Sequence, residues 1–160
     1  MKVITEGTFA DLVARADASP RRRSNFNLHE TPEDPIQRLF VAARRDSYFR
    51  PHRHPDKWEF SIVLRGEFEV FTFDANGTIT QRFRAGPDAP TKAFELPENV
   101  FHTYVPLTDE GIFLEVKAGP YDPHTASQFA AWAPEEGAEA APVFAQKLLT
   151  TAIGARVEEW

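Results

Sequence analysis

The chain has no cysteine, which removes disulfide bridges and thiolate chemistry from consideration. A cysteine-free protein fits a reducing compartment, and a cytoplasmic location is expected. Long apolar runs are also missing. No stretch approaches the roughly 18 residues needed to cross a bilayer, so no membrane partner is expected. The opening segment, MKVITEGTFADLVARAD, has no apolar core of the signal-peptide kind, and its acidic residues do not suit a transit peptide. Positive charge is in short supply too. With 18 Lys and Arg against 24 Asp and Glu the net charge is −6, which argues against nucleic acid as the main partner.

Aromatic rings and prolines are plentiful. Fourteen Phe against one Met indicate a core filled by rigid rings, as in sheet proteins, and 13 Pro indicate many turns and few long helices. Thr8 is placed to cap a short helix in which Phe9, Leu12, Val13 and Ala16 fall at helical spacing, ended by Ser19-Pro20. Residues 24–36 read as an ordered loop. From Gln37 the texture turns to short strands separated by turns, with Asn76-Gly77 as a strong hairpin signal. Six or more such strands with no helix between them predict an all-β sandwich or barrel. After GPYDP the pattern changes again: residues 133–142, APEEGAEAAP, read as a tether or loosely ordered arm. Val143 to Thr151 form a candidate helix with Phe144 and Leu148 on one face. The expected organisation is an N-terminal helix and covering loop over 1–35, a β-barrel over 36–121, and a C-terminal extension over 122–160.

The barrel region contains RPHRHPDKWEFSIVLRG, residues 50–66. In a strand, residues two apart share a face about 6.5–7 Å apart, so His52 and His54 point the same way. Pro55-Asp56 turns the chain back, and Glu59, Ser61 and Val63 then share one face of the next strand. A carboxylate facing inward beside two imidazoles is satisfied by a cation and costly without one. His102, in ELPENVFHTYVP, is a fourth donor. Three imidazoles and one carboxylate suit one divalent transition metal ion, whether iron, zinc, nickel, manganese or copper, and leave open positions for water or substrate. Surface histidines beside a solvated glutamate are the plainer alternative; four residues at joint spacing across two segments favour the metal site.

These residues also resemble a known family. His52-x-His54, four residues, Glu59, six residues, Gly66 has the spacing of the first cupin motif, and Pro97 with His102 in PENVFH is similar to the second. Asn99 stands where that family usually has Gly, a position where Asn tolerates left-handed backbone, and Pro106 stands where it usually has Asn. RSNFNLH, DPIQRLFVAAR, YFRPHRHPDKWE, EVKAGPYDP and FAAWAPEEG further resemble the WbuC-type cupin metalloproteins over roughly residues 21–137. The resemblance implies a single-domain cupin, that is, a jelly-roll β-barrel. It also implies an association with bacterial surface-polysaccharide biosynthesis.

Other residues are candidates to touch a ligand. Arg50 and Tyr48 share parity with His52 and His54. Lys57, Gln37, Arg38, Tyr104, Glu115 and Lys117 are polar groups on strands near the site, Tyr104 in phase with His102. His29 is either a loop histidine or an acid/base or lid residue over the metal. The cluster PRRRSN, Pro20 to Asn25, is either a solvated loop or a grip for phosphate or carboxylate. If Glu59, Ser61 and Val63 face the cavity, Phe60, Ile62 and Leu64 face out, so a homodimer is expected to cover them. The expected function is a metal-dependent enzyme acting on a small polar or anionic molecule such as a sugar or sugar nucleotide, with His29, Arg50, Lys57 and Tyr104 as candidate catalytic residues. A non-catalytic sugar-binding or regulatory metal protein and an iron-dependent dioxygenase are the alternatives.

Overall fold

A computed structural model describes residues 1–157. Among the described residues, ten strands form two five-stranded antiparallel sheets. The first sheet has the order β1 (Arg23–Asn27), β2 (Ile36–Arg44), β9 (Glu110–Ala118), β4 (Glu59–Arg65), β7 (Ala93–Leu96). The second has the order β10 (Gln128–Phe129), β3 (His52–Arg53), β8 (Phe101–Pro106), β5 (Phe68–Phe73), β6 (Ile79–Ala85). β1–β2 and β5–β6 are hairpins within one sheet, and every other consecutive pair of strands crosses between the sheets, as in a jelly roll. Rings fill the space between the layers: Phe49, Phe68, Tyr104 and Phe113 pack with Val63 and Val70, and Tyr104 stacks on Phe113 at 5.0 Å.

The strand register follows the alternation of the sequence. Glu59, Ser61 and Val63 are buried on the inner face of β4. Phe60 and Ile62 are half-buried on the outer face and Leu64 is exposed. The Asn76-Gly77 hairpin joins β5 to β6; Asp74 Oδ1 accepts from the backbone N–H of Asn76 and of Thr78.

Helix α1 (Glu6–Ala18) begins before the position expected from Thr8. Thr5 is the cap: its hydroxyl accepts from Thr8 N–H, and the Thr8 hydroxyl accepts from Thr5 N–H. Thr8 thus closes a reciprocal capping box from inside the first turn, where Glu6 also suits the helix dipole. Leu12 and Ala16 bury against Phe40, Ala42 and Ile112 on the outer face of the first sheet. Residues 23–27, read from sequence as loop, form edge strand β1. Arg, Ser and Asn have poor strand propensity, and the ladder to β2 overrides it.

Residues 133–142 are not a loose tether. Ala133 and Pro134 are buried, and the Tyr48 hydroxyl donates to the Pro134 carbonyl at 3.0 Å. Small side chains let this arm lie close to the barrel. Helix α2 (Ala140–Thr150) follows, with Phe144 and Leu148 buried among Phe71, Phe73 and Ile79 of the second sheet. Among the described residues no helix is long and apolar enough to cross a membrane.

Candidate metal centre

His52, His54, Glu59 and His102 come together at one end of the space between the sheets. β3 and β8 pair with His52 opposite His102, which places two imidazoles side by side at 4.5 Å between ring centroids. His54 lies just past β3, where its carbonyl accepts from Asn99 N–H at 2.7 Å. Asn99 itself has φ 63°, the left-handed conformation that the residue type tolerates. Glu59 starts β4 in the opposite sheet, so its carboxylate faces the three rings across the barrel. One donor atom from each of the four residues lies within 4.8 Å of the others; three of these residues are buried and His52 is partly open.

The hydrogen bonds of the rings orient the donors. His52 Nδ1 faces the Arg50 carbonyl at 3.0 Å, His54 Nδ1 the Ala126 carbonyl at 2.5 Å, and His102 Nδ1 the Val100 carbonyl at 2.9 Å. A carbonyl can only accept, so each Nδ1 carries a hydrogen, and the neutral rings of His52 and His102 turn an Nε2 lone pair inward. His102 Nε2 is buried without a hydrogen-bond partner. His54 Nε2 lies 2.9 Å from Glu59 Oε2. Lone pairs converging on a carboxylate are mutually repulsive unless a cation stands between them, and backbone carbonyls holding the outer nitrogens are the usual support of metal-binding imidazoles. Burial lowers the pKa of His52 and of His102, which keeps both rings neutral and ready to ligate. The four residues can therefore hold a metal ion, and they fit one chemically.

Glu59 is held ionised. Burial pushes its carboxyl pKa up, but the hydrogen bond to His54 and the charge of Lys117 outweigh burial and bring it well down. The Tyr104 hydroxyl donates to Glu59 Oε1 at 2.6 Å, and Ser61 Oγ lies 3.1 Å from the same hydroxyl. Lys117 Nζ sits 3.7 Å from Glu59 Oε2 and 2.5 Å from Glu115 Oε1. Burial opposes the Lys117 charge, yet the carboxylates of Glu115 and Glu59 raise its pKa, so it stays protonated.

A cavity of about 290 Å³ opens onto His52 and Glu59. Arg21, Arg23, Arg50 and Lys117 supply positive charge to its wall, and Phe49, Val41 and Phe113 supply apolar surface. A second hollow of about 370 Å³ shares Asn25, Leu39, Lys117 and Tyr121 with the first. Arg50 and Tyr104 line the first cavity, Tyr104 from a fully packed position. His29 lines the second hollow rather than the metal centre, and its Nδ1 accepts from Arg38 N–H at 3.0 Å. Gln37 also lines the second hollow, with its amide donating to the Pro32 and Asp34 carbonyls. Lys57 lines neither; its amine donates to the Pro120 carbonyl at 2.5 Å. Tyr48 turns away and packs edge-on against Phe144. Asn25, from the PRRRSN cluster, lines the cavity, as do Tyr121, Ser127 and Phe129, which were not singled out by sequence. They lie in segments with no local motif, and only the closure of the chain brings them there.

The family model described as Domain of unknown function (DUF6016) matches residues 4–85, just over half of the chain. The chain belongs to the DUF6016 family. The matched segment of this DUF6016 protein includes His52, His54 and Glu59 and stops short of His102. No curated protein is similar to it in sequence. Among solved structures, recombinant oxalate oxidase in complex with glycolate superposes with a TM-score of 0.55 at 14% identity, over 70% of this chain and 57% of that one. The capsular polysaccharide assembling protein CapF from Staphylococcus aureus superposes with a TM-score of 0.59 at 18% identity, over 69% of this chain and 32% of that one. Protein SO0799 from Shewanella oneidensis gives 0.54 at 9% identity, over 66% and 72%. The superposed region is thus little more than half of oxalate oxidase and a third of CapF. By fold, the DUF6016 chain is a single-domain cupin jelly roll with a His/Glu cluster that can bind a metal.

Proposed function

We propose that the protein holds one divalent transition metal ion on His52, His54, Glu59 and His102 and acts as an enzyme on a small anionic, hydroxyl-bearing molecule such as a sugar or sugar nucleotide. The observation that carries this reading is the cavity itself: it opens onto the donor cluster and has Arg21, Arg23, Arg50 and Lys117 in its wall. Four cations around a hollow of this size suit a ligand with carboxylate or phosphate groups. The second hollow, with Asn25, Asn27, His29 and Gln37, suits the hydroxyls of a longer ligand. When bound, the ion would act as a Lewis acid toward a ligand oxygen. The protein groups do the rest. Tyr104 fixes the Glu59 carboxylate, Lys117 balances its charge, and the rings of Phe49 and Phe113 keep water from the inner wall. The surface-polysaccharide setting rests on the WbuC-type resemblance of the sequence.

The test begins with metal analysis of protein made in unsupplemented cells and purified anaerobically, beside a His52→Ala/His54→Ala control. About one transition metal per chain, absent from the control, is expected. A screen of anionic sugars and sugar nucleotides follows, with oxygen consumption added if the metal is iron. Turnover that is lost in folded His102→Ala supports the enzyme. Ligand affinity without turnover across the screen would replace it with a binding protein, and metal-free protein in both preparations would overturn the reading.

A further inference from the structure

The acidic turn of the C-terminal arm rests on the arginines of the cavity wall. Arg21 grips Glu136 with two donors, Nε to Oε1 at 2.5 Å and Nη2 to Oε2 at 3.2 Å. Arg23 Nη2 reaches the same Oε2 at 2.8 Å. Arg50 Nη1 lies 3.7 Å from Glu135 Oε1. The three arginines line the cavity beside His52 and Glu59, whereas neither Glu135 nor Glu136 does.

Arg23 and Arg50 are built into the wall rather than solvated. The Arg23 side chain is only 12% exposed, lies 4.6 Å over the Phe49 ring, and is fixed by Nη1 donating to the Tyr48 carbonyl at 2.8 Å. Arg50 lies 5.3 Å over the Phe129 ring, and its Nε is buried without a hydrogen-bond partner. At this turn three guanidiniums meet two carboxylates, while Lys117 deeper in the cavity stands between Glu115 and Glu59. A carboxylate forked by two guanidiniums has the geometry in which arginines recognise the oxyanion of a ligand.

We propose that Arg21, Arg23 and Arg50 form the subsite for the carboxylate or phosphate group of the cavity's ligand, and that Glu136 is its resident occupant, displaced when that ligand binds. The inference rests on the reading of the cavity as a ligand site and adds to it the groups that select the anion and a gate that answers to it. Exchange needs only a short movement. Ala133 before the turn and Ala141 after it are 3% and 2% exposed, so both ends of the arm stay anchored while the turn between them swings. A tethered carboxylate competes with a free one as a high local concentration, so removing its charge strengthens binding of the free anion.

Isothermal titration of the full chain with inorganic phosphate, and separately with succinate, at constant ionic strength tests this. Glu136→Gln is expected to bind the preferred anion about fivefold tighter than the unaltered protein, and Arg21→Ala about tenfold weaker. The Arg21 side chain is 61% exposed, so its removal leaves the core intact. Hydrogen exchange of residues 134–139 is expected to speed up when the anion is added. The tighter of the two anions names the ligand's charged group. Binding of neither, unchanged or weaker binding in Glu136→Gln, or an arm whose exchange ignores the anion would overturn the proposal. The same titrations in a His52→Ala/His54→Ala background separate the two readings. Metal loss there leaves the arginine subsite measurable, whereas failure of anion binding with metal content intact overturns the subsite alone.

Discussion

At His54 the outer ring nitrogen is held by the carbonyl of Ala126, 72 positions away, and the inner one faces Glu59. The donor power of the cluster thus depends on groups that are not ligands themselves. Tyr104 is one of them, since its hydroxyl donates to Glu59 Oε1. Tyr104→Phe keeps the ring stacked on Phe113 and removes the hydroxyl's bonds to Glu59 and Ser61. Metal affinity, read by competition with a chromogenic chelator, is expected to fall roughly tenfold while the melting temperature of the metal-free protein hardly moves. Asn99 shows a second residue-scale effect. With φ at 63° its backbone suits Gly or Asn. Asn99→Gly is expected to be near neutral and Asn99→Val to lose about 1–2 kcal/mol in urea unfolding, because a β-branched side chain strains the left-handed conformation. Equal stability of the two variants would show that the turn relaxes.

The elements that cover the barrel have separate roles. Helix α2 closes the outer face of the second sheet through Phe144, which is 1% exposed against Phe71 and Phe73. Phe144→Ala is expected to destabilise the chain by about 3–5 kcal/mol, with metal content per folded molecule unchanged. The arm before α2 responds to pH. Burial raises the Glu136 pKa, but the hydrogen bonds and charges of Arg21 and Arg23 outweigh it and hold the carboxyl below its ordinary value. A group whose native pKa is depressed contributes stability that is fully present above the unfolded-state pKa of about 4.3 and lost as pH falls through the lower native value. Protection of residues 134–139 from hydrogen exchange should therefore fade below about pH 4. In Glu136→Gln the arm should be no better protected at neutral pH than in acid, and a variant that kept the same pH dependence would assign it to another group. Strand β1 carries little strand signal of its own. RSNFN has no β-branched residue, and its strand conformation exists because β2 offers it a full ladder.

For the molecule as a whole, the uncovered surface matters. Helix α1 covers Phe40, Ala42 and Ile112 on the first sheet, but on neighbouring β4 Phe60 and Ile62 stay half-buried and Leu64 is 37% exposed. We propose that a second copy of the chain covers this face. Sedimentation velocity at micromolar concentration is expected to show a dimer, and Leu64→Asp a monomer with retained metal; a concentration-independent monomer for the unaltered chain would refute it.

Much of the site was legible because strand alternation is a local property. His-x-His, the turn at Pro55-Asp56 and the phase of Glu59 follow from backbone geometry within a few residues, and the burial of Glu59, Ser61 and Val63 obeys it. The Phe-rich, proline-broken strands likewise announced an all-β barrel. Tertiary structure decided the rest. The pairing of β3 with β8 set His102 beside His52, and the closure of residues 126–136 over the barrel brought Ala126 to His54 and Glu136 to Arg21 and Arg23. It also sent Lys57 to the Pro120 carbonyl and His29 to a neighbouring hollow. Such meetings join residues tens of positions apart, and they are chosen by how whole layers pack, for which no local pattern carries a signal.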